Sequence, residues 1–241
     1  MILHGFHTVL GRLKRDASSI SAVYVDETRR DPRMRELIAQ AERHGVSINR
    51  VDGARIEGLA PGRRHQGLVA LSTSAPPGTS LDELFADASR LPRILLLDGV
   101  TDPRNLGACL RAADGAGINA VIAPKDHACP LSEAAMQTAS GAAESVPYLL
   151  VTNLSRCINE LQDRGLWIVG LDEAAEQTLW AATWPAEGSA FVLGAEGKGL
   201  RRLVKESSDL LVRLPMLGAI QSLNVAVATG IVLYEAMRRR S

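Results

Sequence analysis

Two hydrophobic rhythms alternate along the chain. Short apolar runs with a period of two, or no break at all, predict strands, and stretches with apolar residues every third or fourth position predict helices. Residues 1–72 run through helix-like "FHTVLGRLK", strand-like "SAVYVD", helix-like "PRMRELIAQAERHG", strand-like "SINRVD", a short "ARIEGLA" and strand-like "GLVALS". Pro32 stands near the start of the second helix and Gly45 at its stop, each where its backbone chemistry suits a helix end. "STSAPPGTS" has no apolar period and reads as a linker.

Stronger strands follow. "RILLLDGV" is an unbroken apolar run, as in a strand buried on both faces. "NLGACLRAADGAG" predicts a helix ending in glycines, "NAVIAP" a strand, "LSEAAMQTASGAAE" a helix and "VPYLLV" a strand. "NLSRCINELQDRG" predicts a helix capped by Asn153 or Ser155 and stopped by Gly165. "LWIVGLD", "AFVLG" and "DLLVRLP" are three more strands. The closing helix, apolar nearly all round from Leu223 to Met237, reads as buried. The fold class is therefore α/β: a small α/β domain over 1–72, a linker over 73–80, and a mostly parallel sheet covered by helices over 81–241. Ligands of such sheets usually sit outside the carboxyl ends of the strands.

Composition narrows the function. Apolar residues make up 46% of 241, enough for a real core. No apolar run reaches the roughly 18 residues of a membrane span, so no membrane partner is expected. The N-terminus lacks the features of a signal peptide. Three widely spaced cysteines, Cys109, Cys129 and Cys157, fit a reducing cytoplasm and neither a zinc site nor a disulfide framework. His4 and His7 have no third ligand nearby in sequence, so no metal site is assigned. Net charge is zero, but residues 1–72 hold 12 Lys and Arg against 8 Asp and Glu, and the remainder holds 15 against 19. That asymmetry points either to two domains with different partners or to ordinary scatter.

Three loops after strands are more polar and glycine-rich than packing requires. In "LDGVTDPRNLGACLRAADGAG", Asp102 and Pro103 set a turn, Asn105 reads as a helix cap, and Arg111 is expected near the same face. The bland alternative is a plain cap and a solvated arginine. "FVLGAEGKGL" places Glu196 among three glycines that let the backbone bend or approach a ligand. Its spacing is neither GxxxxGK[ST] nor GxGxxG, so a nucleotide bound as in dehydrogenases is not expected. In "LVRLPMLGAIQSLNVAVATG", Gln221, Ser222 and Asn224 stand where burial begins, and capping by Ser222 explains only one of them.

Taken in order, "DPRNLGACLRAADGAG", "VLGAEGKGL" and "LPMLGAIQSLNVAVATGI" resemble the motifs of the SpoU (TrmH-type) RNA ribose methyltransferases of the SPOUT superfamily. The resemblance spans about 93–239, and the first 72 residues, with "RRHQGLVALS" at their end, resemble the family's L30e-like RNA-binding domain. It implies a parallel sheet with a trefoil knot, S-adenosylmethionine as cofactor and methylation of a ribose 2′-oxygen. The nearest members act on a guanosine of large-subunit ribosomal RNA; transfer RNA, or a non-catalytic RNA-binding role, is the alternative. By position, Gly194, Leu214 and Leu223 are implied to hold the cofactor through backbone groups. Asn105, Arg111, Glu196, Ser222 and Asn224 are the implied catalytic set, with Glu196 expected to hold Arg111 or Asn105. Arg63, Arg64 and His65 are a basic loop suited to RNA phosphates. A homodimer through the knotted domain is implied as well. Gln221 departs from the pattern, standing where close relatives often carry a small residue.

Overall fold

The computed structural model describes residues 2–62, 65–73, 80–86 and 90–239, with backbone only for His7 and Arg15. Contacts divide the chain into one unit of residues 1–77 and 140–145 and another of 78–139 and 146–241.

In the first unit, β1 (Ile2–His4), β2 (Ile20–Asp26), β3 (Ile48–Val51) and β4 (Leu68–Ser72) form a sheet of order β1-β4-β2-β3. Its helices are α1 (Phe6–Asp16), α2 (Pro32–Arg43) and α3 (Gly53–Leu59). Only the β2–β3 pair is parallel; β4 runs antiparallel to both β1 and β2. The apolar period of α2 buries Met34, Leu37 and Ala41 against Val23, Val25 and Leu68. Asp31 caps the helix through the Met34 N–H, Pro32 opens it, and Gly45 follows its end at φ +69°. Strand β1 carries no pattern that three residues could reveal; pairing with β4 makes it a strand.

The second unit begins with α4 (Leu81–Leu84), β5 (Ile94–Asp98), α5 (Pro103–Gly115), β6 (Ala120–Pro124) and α6 (Glu133–Ala139). Past α7 (Ala142–Ser145), which belongs to the first unit, come β7 (Tyr148–Val151), α8 (Leu154–Asp163), β8 (Trp167–Leu171), β9 (Gln177–Thr178) and β10 (Ser189–Gly194). It closes with α9 (Arg202–Glu206), β11 (Leu210–Arg213) and α10 (Val225–Arg238). The seven strands lie in the order β7-β6-β5-β10-β8-β11-β9, every pair parallel. Every residue of β5 and β6 is buried, as an unbroken apolar run requires in a sheet covered on both faces.

Several expectations change. The helix expected over "LSEAAMQTASGAAE" breaks in two, because Ser140 and Gly141 take φ of +52° and +94° between α6 and α7. Asn153, not Ser155, caps α8. The closing helix is not buried all round: Val227, Tyr234 and Met237 are exposed on one side. Its far end is anchored instead by charge. Glu235, 8% exposed, takes ion pairs from Arg238 and Arg239. Arg239 also lies over the Trp184 ring at 3.8 Å and donates to the Ala182 and Leu179 carbonyls.

Candidate active site

The three polar loops leave the carboxyl ends of β5, β10 and β11 and lead into α5, α9 and α10. β5 and β10 are neighbours in register, with Asp98 opposite Gly194. Helix α10 lies against α5, where the buried Thr229 hydroxyl donates to the Val225 carbonyl and sits 3.4 Å from the Cys109 sulfur. Burial pushes the Cys109 thiol up to about 11 and the Cys157 thiol up to about 12, so both stay neutral and inert.

Asp102 caps α5, accepting from the Arg104 and Asn105 N–H groups, with Pro103 at the first helical position. Asn105 is therefore not the cap that its sequence position predicts. Its side chain is left for something else. Asn224, not Ser222, caps α10, its Oδ1 accepting from the Ala226 N–H at 2.9 Å. A backbone N–H can only donate, so this bond settles which end of the Asn224 amide is oxygen. The Nδ2 of Asn224 then donates to Asn105 Oδ1 at 3.0 Å and reaches Glu196 Oε2 at 3.4 Å. One amide thus joins all three loops. With its oxygen committed to Asn224, Asn105 has its own Nδ2 to offer as a donor.

Gly194 is needed for the second loop. A Cβ there would lie 2.1 Å from the carbonyl carbon of Gly199 and 2.5 Å from the Leu200 nitrogen. The loop folds back on itself through Gly199 N–H to Ala195 O, 2.9 Å, with Gly197 and Gly199 at φ of +74° and +62°. Two residues that the sequence reading missed fix its far end. The Asp98 side chain is fully buried, and its carboxylate accepts from the Arg201 backbone N–H at 2.8 Å and from Arg201 Nε at 2.6 Å. The Asp98 carbonyl accepts from the Ala195 N–H. The signal was present: an acid closing the buried run "ILLL" must find a partner.

The third loop is the opposite case. Among the described residues, no backbone–backbone hydrogen bond is made by positions 214–223. Leu214 and Leu223 are half-buried at its ends, whereas Leu217 is 100% exposed and Ile220 64%. Its peptide groups are therefore open to ligand or water. Unspent backbone donors and acceptors are groups that a polar-edged ligand can engage.

Arg111 does not share the face of Asn105. Six residues along a helix place it about 9 Å further on and about 120° round. It is exposed, with no ion pair among the described residues. Glu196 holds neither Arg111 nor Asn105; its described partner is Asn224. Gln221 and Ser222 are exposed. In the first unit, Arg63 and Arg64 lie outside the described residues. His65 is committed to its own turn: Nε2 meets Glu57 Oε2 at 2.9 Å, and Nδ1 accepts from the Gly67 N–H. The Gly62 N–H, and then His65, hold the Glu57 carboxyl below its usual range.

Known proteins decide what this junction belongs to. The model of the SpoU rRNA Methylase family matches residues 92–234, which span all three loops. The chain belongs to the SpoU rRNA methylase family. A second model, described as RNA 2′-O ribose methyltransferase substrate binding, matches residues 2–77. Among SpoU relatives, the 23S rRNA (guanosine-2′-O-)-methyltransferase RlmB of Ralstonia nicotianae is 49% identical over 240 residues, covering 100% of this chain and 96% of that protein. The RlmB of Neisseria meningitidis serogroup B is 42% identical over 238 residues, covering 99% and 95%. The SpoU methyltransferase AviRb of Streptomyces viridochromogenes, solved in complex with AdoMet, superposes with a TM-score of 0.70 at 21% identity, covering 100% of this chain and 90% of that one. At that identity the match speaks for the SpoU fold alone.

Proposed function

We propose that this SpoU protein methylates the ribose 2′-oxygen of a guanosine in 23S ribosomal RNA, with S-adenosylmethionine as donor. The observation that carries the reading is the meeting of Asn105, Glu196 and Asn224 at one amide. The relatives' named reaction supports it.

S-adenosylmethionine supplies a methyl group already activated on a sulfonium. One carbon–sulfur bond breaks, one carbon–oxygen bond forms, and the 2′-hydroxyl proton goes to solvent. Gly194, Leu214 and Leu223 would hold the cofactor through the open backbone of the third loop and the tight turn of the second. What remains for the chain is alignment and charge. Holding two reactants in line is worth about 7 kcal/mol or more when geometry is good. The free Nδ2 of Asn105 is the donor for a ribose or phosphate oxygen, and the Ser222 hydroxyl adds a second contact. A guanidinium keeps its proton in proteins, so Arg111 serves as a cation beside the developing alkoxide or on the neighbouring phosphate, not as the base. Glu196 orients Asn224.

The same proposal covers the assembly. Residues 1–72 would hold the RNA, 73–80 would link them to the methyltransferase domain of 81–241, and the last loops of that domain would form the family's knot. Knots are rare among folds, so only the family resemblance motivates this one. Among the described residues, no helix is long and apolar enough to cross a membrane. The reaction belongs where ribosomal RNA is, in the cytoplasm. Val227, Tyr234 and Met237 recur, exposed, along one side of α10, and a second copy would cover them as a homodimer. Val227→Glu should shift the protein to monomer in light scattering; an unchanged mass would remove α10 from the interface.

Calorimetry with S-adenosylmethionine and 2′-O-methyl mapping of total RNA from a deletion strain test the function. We expect saturable binding and the loss of one guanosine mark in 23S RNA. No binding, or a lost mark confined to transfer RNA, would overturn the reading.

A further inference from the structure

The N-terminal unit carries a groove of about 780 Å³, apart from the three polar loops. Arg29, Arg30, Arg35 and Arg50 line it, with Glu27 as an acid at its wall and Met34 at its floor. Arg29 is spent on structure. It pairs with Asp31, donates to the Gln66 carbonyl and lies over the Phe6 ring at 5.0 Å. Arg30, Arg35 and Arg50 differ: all three are exposed, and among the described residues none has an acidic partner. Three uncommitted guanidinium groups thus face a single concavity opposed by Glu27.

Local stability does not account for this cluster. Arg35 stands early in α2, whose first turn carries no acid and whose cap, Asp31, is already paired with Arg29. Base stacking is not the mode of capture. The only aromatic residues of positions 1–72 are Phe6 and Tyr24; Phe6 is buried, and Tyr24 packs against the Ile56 cluster. Guanidinium groups without stacking platforms suit the phosphodiester backbone of folded RNA.

We propose that this groove docks the RNA substrate, with Arg30, Arg35 and Arg50 each on a backbone phosphate. The inference rests on the methyltransferase reading and adds where the N-terminal unit grips its RNA. It moves the expected contact away from His65, which Glu57 occupies.

The test measures binding of a 23S RNA fragment to the full chain over a range of salt, without cofactor, for wild type and for R30A/R35A/R50A. S-adenosylmethionine affinity and methylation kinetics are measured beside it. The triple variant should lose about 30- to 100-fold in RNA affinity near about 0.1 M salt, and the slope of log affinity against log salt should fall by about 2–3. Its KM for RNA should rise by a similar factor, with kcat and cofactor affinity within about twofold of wild type. The lysine triple variant should recover most of the slope, since phosphate contacts need charge first. Arg30 lies outside helices and strands, and R30A alone should lower the slope by about 1, so misfolding of the triple variant leaves a readout. Unchanged affinity and slope, with methylation intact, would overturn the groove and leave the methyltransferase standing. A wild type that binds RNA through these arginines but transfers no methyl would do the reverse.

Discussion

The loop after β10 and the loop after β11 both emerge from the carboxyl edge of one parallel sheet, yet they are held in opposite ways. The first turns on Gly194, closes on itself between Ala195 and Gly199, and is fastened to the buried Asp98 through Arg201. The second makes no described backbone hydrogen bond from 214 to 223 and leaves Leu217 wholly exposed. A ligand site needs both kinds of wall. One must be fixed before the ligand arrives, because ordering it on binding costs conformational entropy. The other must keep polar groups unspent, because only free donors and acceptors can recognise anything. Asn224 stands where the two meet.

The comparison breaks most readily at Gly194. A Gly194→Ala variant puts a methyl 2.1 Å from backbone that cannot swing aside. The fixed wall should open, with methyl transfer reduced more than about 100-fold and stability lower by about 1–3 kcal/mol, read by methylation assay and denaturant melts. An active, stable variant would mean that the turn is not part of the site.

Asn224→Ala separates the walls without a clash. Loss of the cap costs about 1 kcal/mol. Loss of the bonds to Asn105 and Glu196 should lower kcat by about 100-fold, because a small misplacement of reacting groups is that expensive. If Asn224→Ser, which keeps a cap, restores stability but not kcat, the junction and not the helix start carries the effect.

Asp98→Asn loosens only the far end of the fixed loop. It leaves one good acceptor where two were used and removes the charge facing Arg201, so a fall of about tenfold in activity is expected, below that at Asn224. Equal losses at the two positions would mean that the anchor and the junction act as one unit.

The smallest effect lies at the end of α10, the helix that starts from the open loop. Arg238 foremost, and then Arg239, hold the Glu235 carboxyl at about 2 against its ordinary 4.5, opposed by desolvation. A carboxyl depressed in the folded state stabilises fully above its unfolded value and loses that contribution as pH falls through the folded one. Thermal melts should therefore drop between about pH 4.5 and pH 2 in the wild type, and Glu235→Gln should flatten that drop while leaving activity near neutrality unchanged.

Much of this was legible in the amino-acid order, and where it was not, the reasons differ. The unbroken run "ILLL" announced a strand buried on both faces, and Pro32 and Gly45 marked the ends of α2, because burial and turn chemistry act over a few residues. The break between α6 and α7 was hidden, since a serine at φ +52° has no local signature. Asn105 and Ser222 looked like caps because either residue type can cap; Asp102 and Asn224 took those positions once the helices had packed.

By itself, then, the sequence determined an α/β fold in two parts, a set of buried parallel strands, and three polar loops in a fixed order, since hydrophobic period and turn chemistry are properties of neighbours along the chain. Only the tertiary structure decided that Asn224 meets Asn105 across 119 positions and that Asp98 holds Arg201 across 103. It also gathered Arg30, Arg35 and Arg50 from a loop, a helix and a strand into one groove. Hydrogen bonds and electric fields act through space, and which distant residues share that space is settled by sheet order and register, not by spacing in the chain.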